Sequence, residues 1–161
     1  MIAPSKRFGR STTIGPVPSW RDSASQQAQY DLDRLVNEAL PLAQETLDKS
    51  GEFYPYGVAV ALDGATRMIA GDPGEGEHPA STDVIATMLE GLTRTRDELR
   101  AIAIAADVRT SASDAIRVEL EHRDGHAIAV LLPYKKKRFR RGIEYGSLSA
   151  AASTRRVWGQ S

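Results

Sequence analysis

Apolar positions along the chain change their spacing several times, and each spacing predicts an element. Over 27–49, Leu32, Leu35, Val36, Ala39, Leu40, Ala43 and Leu47 recur at the i, i+3, i+4, i+7 interval of one buried helical stripe. Pro41 lies inside that run. A proline there removes a hydrogen bond and crowds the preceding turn, so a kink near 37–40, or two helices sharing one face, is expected. Ser50-Gly51 closes the segment.

The period then shortens to two. Val58, Val60 and Leu62 alternate with Ala59 and Ala61, the pattern of a strand. Asp63-Gly64-Ala65 makes a turn, and a three-residue loop pairs Val60 with Met68 and Val58 with Ala70, leaving Ala61 and Arg67 on the other face. The stretch 71–80 is acidic and glycine-rich and reads as a loop. Ser81 or Thr82 caps a second helix reaching about Leu99, with Val84, Ile85, Met88, Leu89 and Leu92 as its stripe.

Three more strands follow over 101–109, 115–123 and 127–134, and Asp124-Gly125 is the strongest hairpin signal in the chain. A two-residue turn there pairs Leu120 with Ala129, Val118 with Leu131 and His122 with Ala127. In that register Ile128, Val130 and Leu132 share the opposite face with Arg117, Glu119 and Glu121.

The order α-β-β-α-β-β-β predicts an α+β fold: a two-layer antiparallel sheet of about five strands, with both main helices on one face. Residues 1–26, broken up by Pro4, Pro16, Pro18, Gly9 and Gly15, read as a flexible tail. Residues 27–134 form the single domain, and 135–161 form a basic, partly ordered C-terminal segment. The element order over 27–134 resembles that of profilin-like and roadblock-type regulatory domains. Gly51-Glu52-Phe53-Tyr54-Pro55-Tyr56-Gly57, with Glu121-His122-Arg123-Asp124-Gly125 and Leu132-Pro133-Tyr134, resembles a set of uncharacterised small bacterial proteins. Neither resemblance implies an activity.

Composition adds a charge layout that the net value hides. The 161 residues sum to a formal charge of zero. Yet residues 1–26 carry four basic side chains against one acidic, and 134–161 carry eight against one. The stretch between them holds nine basic and 19 acidic residues, so an acidic body has two basic ends. Such asymmetry concerns partners and self-association, not the fold. The absence of cysteine removes disulfides, thiolate metal sites and thiol catalysis, and fits a cytoplasmic setting. No apolar run follows the basic residues near the start, and none reaches about 18 residues anywhere, so neither a secretory leader nor a membrane-spanning helix is expected. Arginine exceeds lysine, and Asn37 is the only asparagine, a bias pointing to a GC-rich bacterial genome.

The candidate chemistry is sparse. Glu119, Glu121, His122, Asp124 and His126 are dense enough to suggest a metal or acid–base site. Strand alternation, however, turns His122 away from the two glutamates, and an exposed strand face with a polar turn accounts for the cluster. The loop 71–78 offers carboxylates without ligand spacing and no lysine for a phosphate. Phe53-Tyr54-Pro55-Tyr56 could stack a ligand, but such a run more often fills a helix–sheet junction. No serine stands in a nucleophile elbow. No catalytic residue, metal or cofactor is therefore expected, and a small hydrolase or metal enzyme around His122 and His126 is a remote alternative.

Two features bear on partners. The stripe Ile128, Val130 and Leu132, rimmed by Arg117, Glu119 and Glu121, would be an open apolar sheet face, and such faces mark interfaces. The basic run Lys135, Lys136, Lys137, Arg138, Arg140 and Arg141, interrupted by Phe139, suits a phosphate backbone or an acidic surface. The expectation is a non-enzymatic protein-interaction or regulatory module binding another protein or a second copy of itself. Nucleic-acid association through 135–141 is the alternative.

Overall fold

The computed structural model describes residues 20–70, 80–138 and 142–159. A short helix α1 (Trp20–Ser23) precedes the long helix α2 (Gln26–Ser50). Strands β1 (Tyr56–Ala61) and β2 (Thr66–Ala70) lead to helix α3 (Ser81–Thr95) and a 3₁₀ turn, Arg96–Glu98. The chain then runs through β3 (Leu99–Arg109), β4 (Asp114–His122), β5 (Ala127–Lys136), β6 (Ile143–Tyr145) and β7 (Ser149–Ala152).

Both ends of α2 are held by identifiable groups. Ser25, in extended conformation, accepts the Ala28 N–H on its hydroxyl at 3.0 Å. Gly51 adopts φ 78° and donates its N–H to the Leu47 carbonyl, a left-handed cap that suits glycine. The helix is continuous through Pro41. Its buried stripe is Ala28, Asp31, Leu32, Leu35, Ala39, Ala43 and Leu47, so a carboxylate sits among the expected apolar positions. The segment expected as a tail begins its order earlier than predicted, since Trp20 packs against the main core; 1–19 lie outside the described residues.

The strands form one antiparallel sheet in the order β2-β1-β3-β4-β5-β6, with β7 also pairing β5. The α+β class is as expected, with seven strands in place of about five. The two extra strands come from the C-terminal segment, where Ile-Glu-Tyr and Ser-Ala-Ala-Ala are too short and too weakly alternating to announce themselves.

The two main helices lie on opposite faces of the sheet, which corrects the two-layer expectation. On one face α2 packs against Val58, Val60, Ala101, Ala103, Ala105, Ile116, Val118 and Leu120. On the other, α3 brings Val84, Met88 and Leu92 against Ala59, Leu99, Ile102 and Ile104. The reason is legible in β1 and β3, whose residues are apolar at almost every position and buried on both sides. A strand that alternates apolar-large with apolar-small, rather than apolar with polar, needs cover on both faces.

Both Asp-Gly hairpins use the same loop. Gly64 N–H donates to Ala61 O at 2.9 Å and Ala61 N–H to Ala65 O at 2.8 Å. Gly125 N–H donates to His122 O at 3.0 Å and His122 N–H to His126 O at 2.8 Å. Gly64 and Gly125 take φ 90° and 119°. Each is a three-residue loop, a β-turn followed by a positive-φ glycine. In the first hairpin this moves the register by two, pairing Val60 with Thr66 and Val58 with Met68, and keeps the predicted faces. In the second it moves the register by one, pairing Val118 with Val130 and Leu120 with Ile128. A one-residue slip exchanges faces.

Candidate functional site

That slip decides where the predicted interface goes. Ile128, Val130 and Leu132 are buried beneath α2 with Val118 and Leu120, at 5%, 5% and 6% exposure. They do not form an open face, which corrects the sequence expectation. Arg117, Glu119 and Glu121 project from the other side, opposite Leu131, Ala129 and Ala127.

Glu121 does not rim a docking surface either. It is 3% exposed, and its carboxylate accepts three backbone N–H groups: Arg156 at 2.8 Å, Val157 at 2.9 Å and Trp158 at 2.6 Å. Arg96 donates to the Val157 carbonyl at 2.9 Å, and Arg156 approaches Glu119 at 3.6 Å. The chain after β7 is thus strapped over the α3 side of the sheet, with Val157 buried and Trp158 packed beside it.

His122 and Asp124 enter a second polar group at the other side of the same strand end. His122 and Asp31 are fully buried, with Nε2 2.9 Å from Asp31 Oδ2. Asp124 N–H donates to His122 Nδ1 at 3.1 Å, which leaves the hydrogen on Nε2 to bond Asp31. Arg100 grips the same carboxylate through Nε at 3.1 Å and Nη2 at 2.9 Å, and Gln27 adds a bond at 3.1 Å. The Asp31–His122 pair at its centre is out of solvent, with Arg100 and Gln27 capping it toward the surface, and it joins α2 to the sheet. His126 lies apart, its ring 6.3 Å from that of Trp20. Among the described residues no three His, Asp or Glu side chains converge as a metal site. His78 and the rest of 71–79 lie outside the described residues.

The basic run falls on a hairpin: Lys135 pairs with Glu144 and Lys136 with Ile143 across β5 and β6. Lys135, Lys136, Lys137 and Arg138 are exposed, while Arg140 and Arg141 lie outside the described residues.

A cleft of about 570 Å³ lies where the C-terminal end of α2 meets the start of β1. Leu42 and Thr46 from α2, and Glu52, Phe53 and Tyr54 from the linker, form one side. Tyr56, Met68 and Asp107 line it from the sheet, and Ser81 from the start of α3. The aromatic run does part of what was expected: Phe53 and Tyr56 pack at 5.8 Å between ring centroids, and the Tyr56 hydroxyl donates to the Ala39 carbonyl. Burial pushes the Tyr56 phenol up to about 12. Tyr54, by contrast, is 51% exposed, Met68 60% and Leu42 36%.

Asp107 is the residue that sequence reasoning missed. It follows the Ala-Ile run of β3 on the α2 face, and β4 and β5 bring Tyr134 to it. The Tyr134 hydroxyl donates to Asp107 Oδ1 at 2.6 Å. Burial raises the Asp107 carboxyl above the ordinary range, and the charges of Asp114 and Glu52 raise it further, against the Tyr134 bond and Lys136. The Tyr134 phenol is pushed up in turn, first by burial and then by Asp107. Asp114 takes the nearby guanidinium of Arg109 at 3.0 Å. Among the described residues neither Asp107 nor Glu52 has an ion-pair partner. The only sequence signal for this was a charged residue directly after the Ala-Ile run of β3.

Fold and site together define an α+β domain, a seven-stranded antiparallel sheet between two helices, with an aromatic, carboxylate-bearing cleft at one end. No protein-family model matches the chain, and no curated protein or solved structure matches it. No helix among the described residues is long and apolar enough to cross a membrane.

Proposed function

We propose that this chain is a non-enzymatic protein-interaction or regulatory module of the bacterial cytoplasm, acting on another protein or on a second copy of itself through the cleft between α2 and β2. The observation that carries this is the gathering of Leu42, Tyr54 and Met68, three of the six exposed large apolar side chains among the described residues, around one concavity. Burying apolar and aromatic side chains of this kind in a partner's surface is what gives an interface its strongest contacts.

The test is capture of partners by the tagged full chain from nuclease-treated host lysate, with Met68→Asp alongside. A protein held in stoichiometric amount by the native chain and lost on Met68→Asp, with the circular dichroism unchanged, is the expected result. Equal capture by both would remove the cleft as the site.

The nucleic-acid reading draws on the four exposed cations of the β5–β6 hairpin. It requires that bound material be nuclease-sensitive, weaken steeply with salt, and fall when Lys135, Lys136 and Lys137 become alanine.

A further inference from the structure

The cleft combines two properties that select a particular kind of occupant. Its walls are apolar and aromatic: Leu42, Phe53, Tyr54 and Met68. The charged groups among its lining are both acidic, Glu52 in the linker and Asp107, held in place by Tyr134, beside the neutral hydroxyls of Thr46 and Ser81. A neutral apolar guest would cover the Asp107 carboxylate without replacing the water it loses, which is unfavourable. An anion or a phosphate backbone would meet two carboxylates. A cation on an aliphatic stem satisfies both properties, since its stem lies along the apolar wall while its head reaches the acids. Aromatic faces beside it favour the same charge.

We infer that the cleft receives an arginine or lysine side chain from a basic segment of the partner protein, with Asp107 and Glu52 as its counter-charges. This rests on the protein-interaction reading and names the partner's chemistry. The volume of about 570 Å³ lies in the range of sites that enclose a small ligand, so it accommodates one long side chain with neighbouring atoms. The charge deficit is local: Arg109 is engaged by Asp114, and Lys136 influences Asp107 without forming an ion pair with it. A guanidinium or ammonium arriving from outside supplies what the surrounding residues do not.

The experiment is a titration of the ¹⁵N-labelled full chain with n-butylguanidinium chloride, followed by amide chemical shifts, with n-butylurea as the neutral isostere. The expected result is saturable shifts at Tyr54, Tyr56 and Asp107 with the cation. The urea should bind at least about ten-fold more weakly, and the cation should weaken by a similar factor on Asp107→Asn. Glu52→Gln, an exposed change that leaves the core untouched, should weaken it in the same direction. Equal binding of the urea, shifts mapping elsewhere, or no saturation would overturn the inference. A captured protein lost on Met68→Asp but retained at full strength on both Asp107→Asn and Glu52→Gln would overturn it as well, while leaving the docking reading intact.

Discussion

Asp31 and His122, 91 residues apart in sequence, meet at 2.9 Å with both side chains out of water. The contact pins the first turns of α2 to the end of β4, and Arg100 from β3 completes it. Removing one member of a buried charged group leaves the others without partners, a cost of about 3–5 kcal/mol. Asp31→Ala should therefore lower the urea midpoint strongly, with an unchanged denaturant slope. Exposed Asp33→Ala, two residues on and paired with Arg21, should cost less than about 1 kcal/mol.

Glu121 holds the C-terminal strap by three N–H bonds to one carboxylate. Hydrogen bonds to a buried charge contribute more than neutral ones, and their loss here leaves donors unsatisfied. Glu121→Ala is expected to cost about 3 kcal/mol and to free the strap before the sheet unfolds. Trypsin should then cut at Arg155 or Arg156 much faster than in the native chain, and Trp158 emission should shift to the red in a Trp20→Phe background. In the native chain Val157 of the strap is buried and the three N–H bonds hold it there, so the native chain should resist the cut.

Asp107 should cost stability at neutral pH rather than supply it. Burial raises its carboxyl above the unfolded-state value, so the folded chain keeps that proton to higher pH than the unfolded chain. The favourable contribution is full below the unfolded pKa and is lost as pH rises through the raised folded pKa. Asp107→Asn keeps an oxygen for Tyr134 and removes the ionisation. The variant should equal or exceed the native chain in stability at pH 7, and this difference should shrink as the pH falls into the carboxylate range. Thermal melts of the two chains across pH 3 to 7 measure it. A side chain that lowers stability yet lines the cleft is the pattern expected of a binding residue.

Gly125 carries the register of the β4–β5 hairpin at φ 119°. Any other residue is strained there, although an added Cβ meets no atom within 4 Å. Gly125→Val should therefore destabilise by about 1–3 kcal/mol through the backbone alone, while Gly91→Ala, also without a neighbour within 4 Å but inside α3, should stabilise by up to about 1 kcal/mol. Paired chemical denaturation of the two variants distinguishes conformational strain from crowding.

What the sequence determined by itself is local. The stripe of α2, the alternation of β1 and the five main strands, and the faces of the first hairpin all follow from spacings within a few residues, where side-chain period and backbone geometry are coupled directly. Both Asp-Gly loops were legible as turns, and the first also in its length, though it begins one residue earlier than expected. The second has three residues in place of two, and that extra residue sent Ile128, Val130 and Leu132 into the core instead of onto an open face. Only the tertiary structure decided what lies far apart along the chain. It placed α3 opposite α2 because β1 and β3 bury both faces, and it folded 153–159 back onto Glu121. It also set Tyr134 and Glu52 around Asp107, an assembly of three elements in which no residue signals the others. Burial and long-range pairing act through space, and a local pattern records only which side chains need partners.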